Sequence, residues 1–324
     1  METYRQAWET EGIAIYKNNR KSPKVAKALY ITTGVFVLLF TLLFYGPVPA
    51  FRELWITTAM HTSHCKFLAQ WLYTNRYIAH VLNENRIQTD KKTDEDMITV
   101  EIDNVVYFAE VQGNHYKGFL IKVNDPSHVT LAVAQTNTGE TLEEFVGRTD
   151  SRGGINASGF YSDKYPGIAD GYYTVDGRIT QSKNSRSGQT HTICGMDYEN
   201  RLIVGSYTEK DLNTLAFRWA VEFGPILIVN GEKTTATKMS GGIAPRTAIG
   251  QTQDGSILLL AVDGRSHKSL GATFLDLQTI MFANGAINAM VLDGGSSTTM
   301  MYENQVVNDA VSSTRRSLPN AILF

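Results

Sequence analysis

The chain has few cysteines, almost no net charge and no repetition. Its 324 residues include only Cys65 and Cys194, so at most one disulfide can form, and the sequence leaves open whether these two meet. The formal net charge is -2, and no long basic or acidic run lies outside the N-terminus, so charge gives no reason to expect nucleic acid as a partner. No internal repeat or low-complexity segment is present. The remaining possibilities are one large domain or two small ones with a sizeable apolar core.

The N-terminus carries a membrane signal. Residues 28–46 are almost wholly apolar, and about 19 residues is the length that crosses a bilayer core. The positive-inside rule then predicts a cytoplasmic tail at residues 1–27 and an extracytoplasmic remainder. A cleaved signal peptide is the alternative, because small residues follow the apolar run. The run is longer than a typical signal-peptide core, which favours an uncleaved single-pass anchor in the cell membrane. The basic residues before the run are Lys17, Arg20, Lys21, Lys24 and Lys27.

Residues 47–96 predict a short helical segment and a linker. Leu68, Trp71 and Leu72 have helical spacing, and so do Ile78, Val81 and Leu82 further on. This apolar stripe either packs on the following domain or forms a dimerising stalk helix. The polar residues 89–96 are typical of a linker.

Residues 97–324 alternate between predicted strands and helices. Apolar runs predict strands, and a threonine followed three residues later by Glu or Asp predicts helices beginning at Thr141, Thr208 and Thr273. The second of these is expected to continue to Ala220, and the third to end at Gly285. The pattern predicts a mixed α/β (α+β) fold, with a mixed sheet covered by helices. The predicted strands are at residues 98–102, 105–111, 118–123, 129–134, 202–204, 225–229, 256–262 and 287–292.

Four segments place polar residues and glycine at the end of a strand or turn. The most informative is the last, where an apolar run ends at Asp293 and is followed by two glycines and four hydroxyl residues. Such a layout suits an anion or a sugar, although in isolation a tight Asp-Gly turn explains it equally well. Arg246 lies in an otherwise uncharged stretch, where it serves either as a fork to backbone carbonyls or as an anion clamp. The four segments are residues 153–160, 244–250, 261–265 and 291–300.

Taken together and in order, these segments resemble the phosphodiester glycosidase family. The resemblance rests on residues 245–250, residues 262–265 followed by Gly271, and residues 288–298, together with Asn156 and its small neighbours before Phe160. It covers about residues 105–324. Ser158 departs from the pattern, since glycine is expected there. The anchor and helical segment lie outside the family core and look like an arrangement of Gram-positive bacterial members.

The resemblance implies a glycoside hydrolase that cleaves a sugar-1-phosphodiester, such as a GlcNAc-1-phosphodiester, at its glycosidic C–O bond. Asp293 and Asp263 are then the candidate catalytic carboxylates, one at the anomeric carbon and the other on water or a hydroxyl, without assignment of which. Asn156 is expected to bind the sugar. His191 and His267 are alternative acids or bases. The residues expected to bind the phosphate are Arg246, Thr247, Gly294, Gly295, Ser296 and Ser297.

The expected partners are a carbohydrate phosphodiester and, through the N-terminal helix, the membrane. No cofactor is required by this chemistry, although a divalent cation held by Asp293 and Asp263 remains open. We expect a role in cell-envelope or exopolysaccharide metabolism. Two alternatives remain: a non-catalytic module that binds or assembles anionic polysaccharide, and a metal-dependent phosphodiesterase.

Overall fold

A computed structural model of the protein describes residues 23–62, 65–181, 189–309 and 315–324. The chain separates into two compact units, Met1–Arg52 and Glu53–Phe324. The predicted cytoplasmic tail lies almost entirely outside the described residues.

The helices and strands are defined by the following bounds. The helices are α1 (Pro23–Tyr45), α2 (Pro49–Met60), α3 (Lys66–Leu72), α4 (Asn75–Glu84), α5 (Leu142–Thr149), α6 (Glu209–Leu212) and α7 (Phe274–Ala283). The strands are β1 (Val106–Gln112), β2 (Lys117–Val123), β3 (Thr130–Val133), β4 (Gly153–Asn156), β5 (Phe160–Ser162), β6 (Tyr165–Ala169), β7 (Tyr172–Val175), β8 (Arg178–Gln181), β9 (Thr190–Asp197), β10 (Leu202–Thr208), β11 (Phe217–Glu222), β12 (Ile226–Val229), β13 (Glu232–Lys233), β14 (Arg246–Thr252), β15 (Ile257–Val262), β16 (Ala286–Leu292), β17 (Met300–Tyr302), β18 (Gln305–Val306) and β19 (Asn320–Leu323).

The first unit contains the apolar helix α1. Within the described residues, the stretch Lys27–Tyr45 is long and apolar enough to cross a membrane, and 6% of it is buried. By length and composition it is a candidate anchor, although a signal sequence near the N-terminus meets the same criteria. The direction in which it crosses stays a prediction.

The second unit is built on a seven-stranded sheet in the order β1-β2-β15-β14-β16-β12-β13. Two five-stranded sheets, β10-β9-β11-β7-β8 and β18-β17-β4-β19-β3, accompany it. The mixed α/β class is therefore confirmed. Within the described residues, every pairing between these strands is antiparallel.

Both faces are buried at the central strands β15, β14 and β12, whereas the edge strands β1 and β13 are largely exposed. In β15, Leu259 and Ala261 pack in the largest core cluster with side chains of the two smaller sheets. Leu258 and Leu260 point to the opposite face and pack with Leu277 and other residues of α7. The alternation of side chains along a strand produces these two separate layers. The rigid centre of the sheet holds the strand ends that carry the polar segments.

The helical segment α2–α4 has its own small core and contacts the loop before β14. Ile56, Ala69 and Ile78 are buried together, whereas Trp71 is 83% exposed and so lies outside the apolar stripe predicted from its spacing. The backbone N–H of Ile243 donates to Thr58 Oγ1 at 3.0 Å. Most of the helical segment, from Glu53 onward, therefore belongs to the same unit as the sheets.

Two predictions of secondary structure, one helix and one strand, were wrong. The helix expected from Thr208 to Ala220 ends at Leu212, although Thr208 forms the predicted capping box with Asp211. Residues Phe217–Glu222 form β11 instead, because they alternate between faces and fill the gap between β9 and β7. Residues 98–102, expected as a strand, are not in one. Cys65 and Cys194 are free.

Candidate active site

The polar segments meet at one edge of the seven-stranded sheet. Antiparallel pairing places the start of β14 beside the ends of its neighbours, with Thr247 opposite Leu292 and Arg246 opposite Val262. Asp293 and Asp263 each follow directly after a neighbour strand. The edge is tied to β4 of another sheet, because the N–H of Asp293 donates to the carbonyl of Ala157 at 3.0 Å.

Asp293 is a partly accessible carboxylate at the end of β16. Burial raises its pKa from the usual 3.8 to about 6. Hydrogen bonds from the Ser297 hydroxyl and the Gly294 N–H, and the charges of Arg316 and Arg246, oppose this rise. The side chain is therefore largely ionised at neutral pH but titrates close to it.

Because the pKa of Asp293 is raised, the free energy of unfolding should depend on pH. The folded pKa lies above the unfolded value, so the contribution of Asp293 to stability is fully present below about pH 4 and is lost as the pH rises through about 6. Asp293→Asn removes that titration. Between pH 5 and pH 7 the variant should gain about 1 kcal/mol of unfolding free energy relative to the unsubstituted chain. Urea unfolding of both proteins at the two pH values measures this difference, and a pH-independent difference would contradict the assigned pKa.

The loop after Asp293 is tightly held by its own backbone. The N–H of Gly295 donates to the Pro245 carbonyl at 2.9 Å, and a methyl group at Gly294 would lie 2.8 Å from that same oxygen. Gly295 has a φ of +63°, a conformation that favours glycine. The N–H groups of Ser297 and Thr298 donate to carbonyls within the loop. Most of the N–H groups predicted to cradle a phosphate are therefore already paired.

Three arginine side chains lie beside this loop instead. The Cδ of Arg246 would lie 3.7 Å from a methyl group at Gly294, and Nη2 of Arg265 would lie 3.4 Å from one at Gly295. Nη1 of Arg316 donates to the Ser296 hydroxyl. The charges of Arg316 and Arg246 act on the carboxylate of Asp293, and Arg265 adds a third positive charge beside the loop.

The three arginines differ in how fully they are already engaged. Arg246 is buried, and its Nε and Nη2 donate to the carbonyls of Ala272, Gly241 and Gly242, which is the fork role left open by the sequence. Burial and the neighbouring charge of Arg265 lower the pKa of Arg246 to about 10. Arg265 is exposed, and among the described residues it has no ion-pair partner.

Arg316 is half-buried and is held on two sides. Its guanidinium lies 4.3 Å from the centre of the Phe160 ring and pairs with the exposed carboxylate of Asp163. Arg265 has a φ of +57°, a strained backbone conformation for a residue with a side chain, and such strain is often found at functional sites. The Arg316 side chain is thus fixed beside the Asp293 loop.

Asn156 and Thr247 are buried, and their side chains are hydrogen-bonded to each other next to the Asp293 loop. The amide nitrogen of Asn156 donates to the Asp293 carbonyl at 2.6 Å, and its amide oxygen accepts from Thr247 Oγ1 at 2.8 Å and from the Thr299 N–H at 3.1 Å. Neither Asn156 nor Thr247 has accessible surface. These contacts favour a positioning role for both residues over the substrate contact predicted from the sequence.

Asp263 lies at the same edge but turns away from Asp293. Its carboxylate is buried, accepts from the Asp309 N–H at 2.9 Å and is hydrogen-bonded by the Asn308 side chain. Burial raises its pKa to about 6. Two strand spacings, roughly 10 Å, separate the backbones of the strands that carry the two aspartates. Within the described residues, no group of three or more His, Cys, Asp or Glu side chains could hold a metal ion.

A cleft of about 770 Å³ begins beside Asp293, although Asp293 is not one of its lining residues. One lining residue, Gly159, lies two positions after Ala157, whose carbonyl accepts from the Asp293 N–H. Another, Pro225, accepts from the Val291 N–H at 3.0 Å. The Phe274 ring, also in the lining, lies 4.5 Å from the Arg246 guanidinium. The cleft is thus connected to the Asp293 strand and to Arg246 through residues of its lining.

Sequence reasoning missed Arg316 and assigned no role to Arg265. Arg265 was within a quoted motif, and its position directly after an Asp-Gly turn was the available signal. Arg316 lies beyond the recognised segments and reaches the loop only through the fold. Of the alternative bases, His191 lines the cleft, whereas His267 is exposed in the turn that follows Arg265.

Comparisons with known proteins identify a family and two similar proteins. The family model for phosphodiester glycosidase matches residues 149–324. An uncharacterized SPbeta prophage-derived protein, YomE, of Bacillus subtilis (strain 168) is 28% identical over 194 residues, which are 58% of this chain and 30% of that protein. The chain thus spans about a third of the length of this curated relative.

A solved structure shares the fold. It is the zebrafish N-acetylglucosamine-1-phosphodiester alpha-N-acetylglucosaminidase catalytic domain, auto-inhibited by its pro-peptide. The TM-score is 0.58 at 17% identity, over 72% of this chain and 87% of that one.

Proposed function

Because the chain belongs to the phosphodiester glycosidase family, we propose that it hydrolyses a sugar-1-phosphodiester, such as a GlcNAc-1-phosphodiester, at the glycosidic C–O bond. Free sugar leaves, and a phosphomonoester remains. One observation carries the proposal: three arginine side chains lie beside the loop that follows a partly accessible carboxylate, Asp293. A carboxylate bordered by cations suits a substrate in which one carbon develops positive charge while an anionic group leaves.

The chemistry requires these two features side by side. Glycoside cleavage passes through an oxocarbenium-like transition state, which a carboxylate near the anomeric carbon stabilises. A phosphate leaving group is already anionic, so it needs less protonation than an alkoxide does. It needs cationic hydrogen-bond donors, which guanidinium groups supply with matching geometry.

We assign the roles as follows. Asp293 faces the anomeric carbon. Arg265 and Arg316 hold the phosphate, with the Ser296 hydroxyl between them, while the buried Arg246 adds positive charge from beneath. The remaining predicted residues act on the site indirectly: Asn156 and Thr247 position the Asp293 loop, Gly294 and Gly295 permit its close approach to Pro245, Ser297 supports the carboxylate, and Asp263 anchors residues 308–309.

The location of the reaction is also part of the proposal. Residues 28–46 anchor the chain in the membrane with residues 1–27 in the cytoplasm, residues 47–96 follow as the helical segment and linker, and residues 97–324 form the catalytic domain outside. The substrate then belongs to the cell envelope or to an exopolysaccharide. A divalent cation is not assigned a role in the reaction.

A turnover assay tests the function. The full chain in detergent is incubated with GlcNAc-1-phosphodiester and with the corresponding diesters of other sugars, with and without divalent metal ions, and free sugar is measured. We expect release of free sugar from at least one diester. Binding without release across the whole panel would favour the non-catalytic polysaccharide-binding alternative and would refute the proposal.

A further inference from the structure

We propose that the helical segment from Glu53 to Ile87 completes a polyol-binding cleft beside Asp293, with His61 and His191 accepting hydrogen bonds from the hydroxyls of a neutral sugar ring. The inference deepens the proposed function, and it rests on that function in taking this ring to be the sugar of the phosphodiester. The cleft is the one of about 770 Å³ described above, a volume within the range of small-molecule sites.

One wall of the cleft comes from outside the region matched by the family model. Thr57 and His61 at the end of α2, and Asn85 and Arg86 after α4, line it. The wall is fixed in place, since the Ser240 hydroxyl donates to the Asn85 carbonyl at 2.9 Å and the Asn85 amide oxygen accepts from Thr237 Oγ1 at 2.6 Å. The family model begins only at residue 149, so this wall is a feature of this chain rather than of the matched domain.

His61 presents a hydrogen-bond acceptor to the cleft. Its Nδ1 lies 2.7 Å from the Thr57 carbonyl, an oxygen that only accepts, so the proton is on Nδ1 and Nε2 carries a lone pair. Burial among the cleft walls lowers the pKa of His61, and the charge of Arg246 lowers it further, so the ring is neutral at pH 7. The residue nevertheless keeps accessible surface.

His191, on the opposite wall, repeats this arrangement. Its Nδ1 lies 2.9 Å from the Glu222 carboxylate, whose other oxygen accepts from the Tyr172 N–H at 2.8 Å. Nε2 of His191 is buried and, within the described part of the chain, has no hydrogen-bond partner. A buried nitrogen of this kind calls for a partner, because an unpaired polar atom destabilises the fold. The ring is 97% buried, so its tautomer and orientation are fixed by Glu222 and by the Tyr172 ring at 4.2 Å.

The charges of the lining decide which ligand fits. Among the described lining residues, Arg86 alone has a fixed positive charge, against the carboxylates of Asp170 and Glu222. An anion is therefore disfavoured inside the cleft, in contrast to the cationic loop. The lining contains two imidazoles and two carboxylates, which are hydrogen-bond acceptors, and the aromatic rings of Phe223 and Phe274. A ligand with several hydroxyl donors and an apolar ring face, which is a neutral carbohydrate, matches this set.

This placement orders the whole substrate. The sugar ring lies in the cleft, the anomeric carbon lies at Asp293, and the phosphate lies on Arg265 and Arg316. The helical segment then contributes to the choice of sugar, while the arginine loop recognises the phosphate that all such substrates share.

Binding of neutral sugars without phosphate tests the assignment. The probes are the methyl α-glycosides of N-acetylglucosamine, glucose and mannose, and inorganic phosphate is the second probe, all measured by saturation-transfer NMR on the full chain in detergent. His61→Ala and His191→Ala should each weaken glycoside binding by about tenfold, the loss of one or more hydrogen bonds, and leave phosphate binding within about twofold. His61→Gln, which restores an acceptor oxygen, should recover part of the affinity.

The matched control is His80→Ala, because His80 lies on α4 of the same segment, is exposed, and is absent from the cleft lining. It should leave both probes unaffected. His61 lies at the accessible surface of the cleft, so its variants carry the test if His191→Ala fails to fold. Failure of every glycoside to bind, or binding that neither substitution changes, would overturn the assignment. If the chain hydrolyses a phosphodiester but neither histidine substitution changes glycoside binding, this inference is refuted and the proposed function stands. If His61→Ala weakens glycoside binding but the unsubstituted chain hydrolyses no phosphodiester, the inference stands and the proposed function is refuted.

Discussion

Asp293→Asn should lower kcat by roughly 10³-fold or more, because it removes the negative charge that stabilises the oxocarbenium-like transition state. Asparagine has nearly the same shape, and its amide oxygen can still accept from the Ser297 hydroxyl and the Gly294 N–H. The fold should therefore remain intact. Free-sugar release under saturating substrate measures the effect, and a thermal unfolding scan checks the fold.

Asp150→Asn is the matched control for this substitution. Asp150 is exposed at the end of α5 and has a φ of +55°, a conformation that asparagine also tolerates well. Its variant should keep full activity. If Asp293→Asn retained activity within about tenfold of the unsubstituted chain, then another group would be the carboxylate at the anomeric carbon.

Arg316→Ala should lower kcat/KM by roughly 10²-fold, through loss of a charge-assisted contact to the leaving phosphate. The side chain is already fixed by the Phe160 ring and the Asp163 carboxylate, so it is ready to bind an anion without further ordering. Competitive inhibition by inorganic phosphate isolates the binding role, and Ki should rise by a similar factor.

Arg315→Ala provides a neighbouring control in the same stretch of chain. Arg315 is exposed and pairs with Glu143 of α5, away from the Asp293 loop. It should leave both kcat/KM and the phosphate Ki within about twofold, since surface ion pairs contribute little. Equal losses in the two variants, or a loss of kcat/KM in Arg316→Ala without any rise in Ki, would show that Arg316 does not hold the phosphate.

The sequence predicted the site edge because local signals and the fold agree there. The apolar runs that became β15 and β16 are buried along almost their whole length, as predicted for central strands, and the polar residues that follow them lie at strand ends. β14, which begins at Arg246, was not among the predicted strands. Antiparallel pairing then brought Asp293, Arg246 and the turn after Asp263 together. The sequence placed these residues at strand ends, whereas the strand order and the antiparallel pairing come from the structure.

Other features depended on contacts that no local pattern shows. An asparagine in the sequence can either bind a sugar or hold a loop in place. Only the complete burial of Asn156 in the structure distinguishes these two roles. Arg316 is 20 residues from Ser296 in sequence, and His61 is 130 residues from His191 across the cleft. The capping box at Thr208 fixed the start of α6, but its end was decided by the open position between β9 and β7, which Phe217–Glu222 fill.

The central claim is that this protein breaks the bond between the anomeric carbon and oxygen, and running the hydrolysis in water labelled with heavy oxygen tests it most directly. Mass spectrometry of both products locates the label. The proposed mechanism predicts labelled sugar, with heavy oxygen at its anomeric hydroxyl, and an unlabelled phosphomonoester. Label in the phosphate would mean that a P–O bond is cut, and it would contradict the assignment of Asp293 to the anomeric carbon.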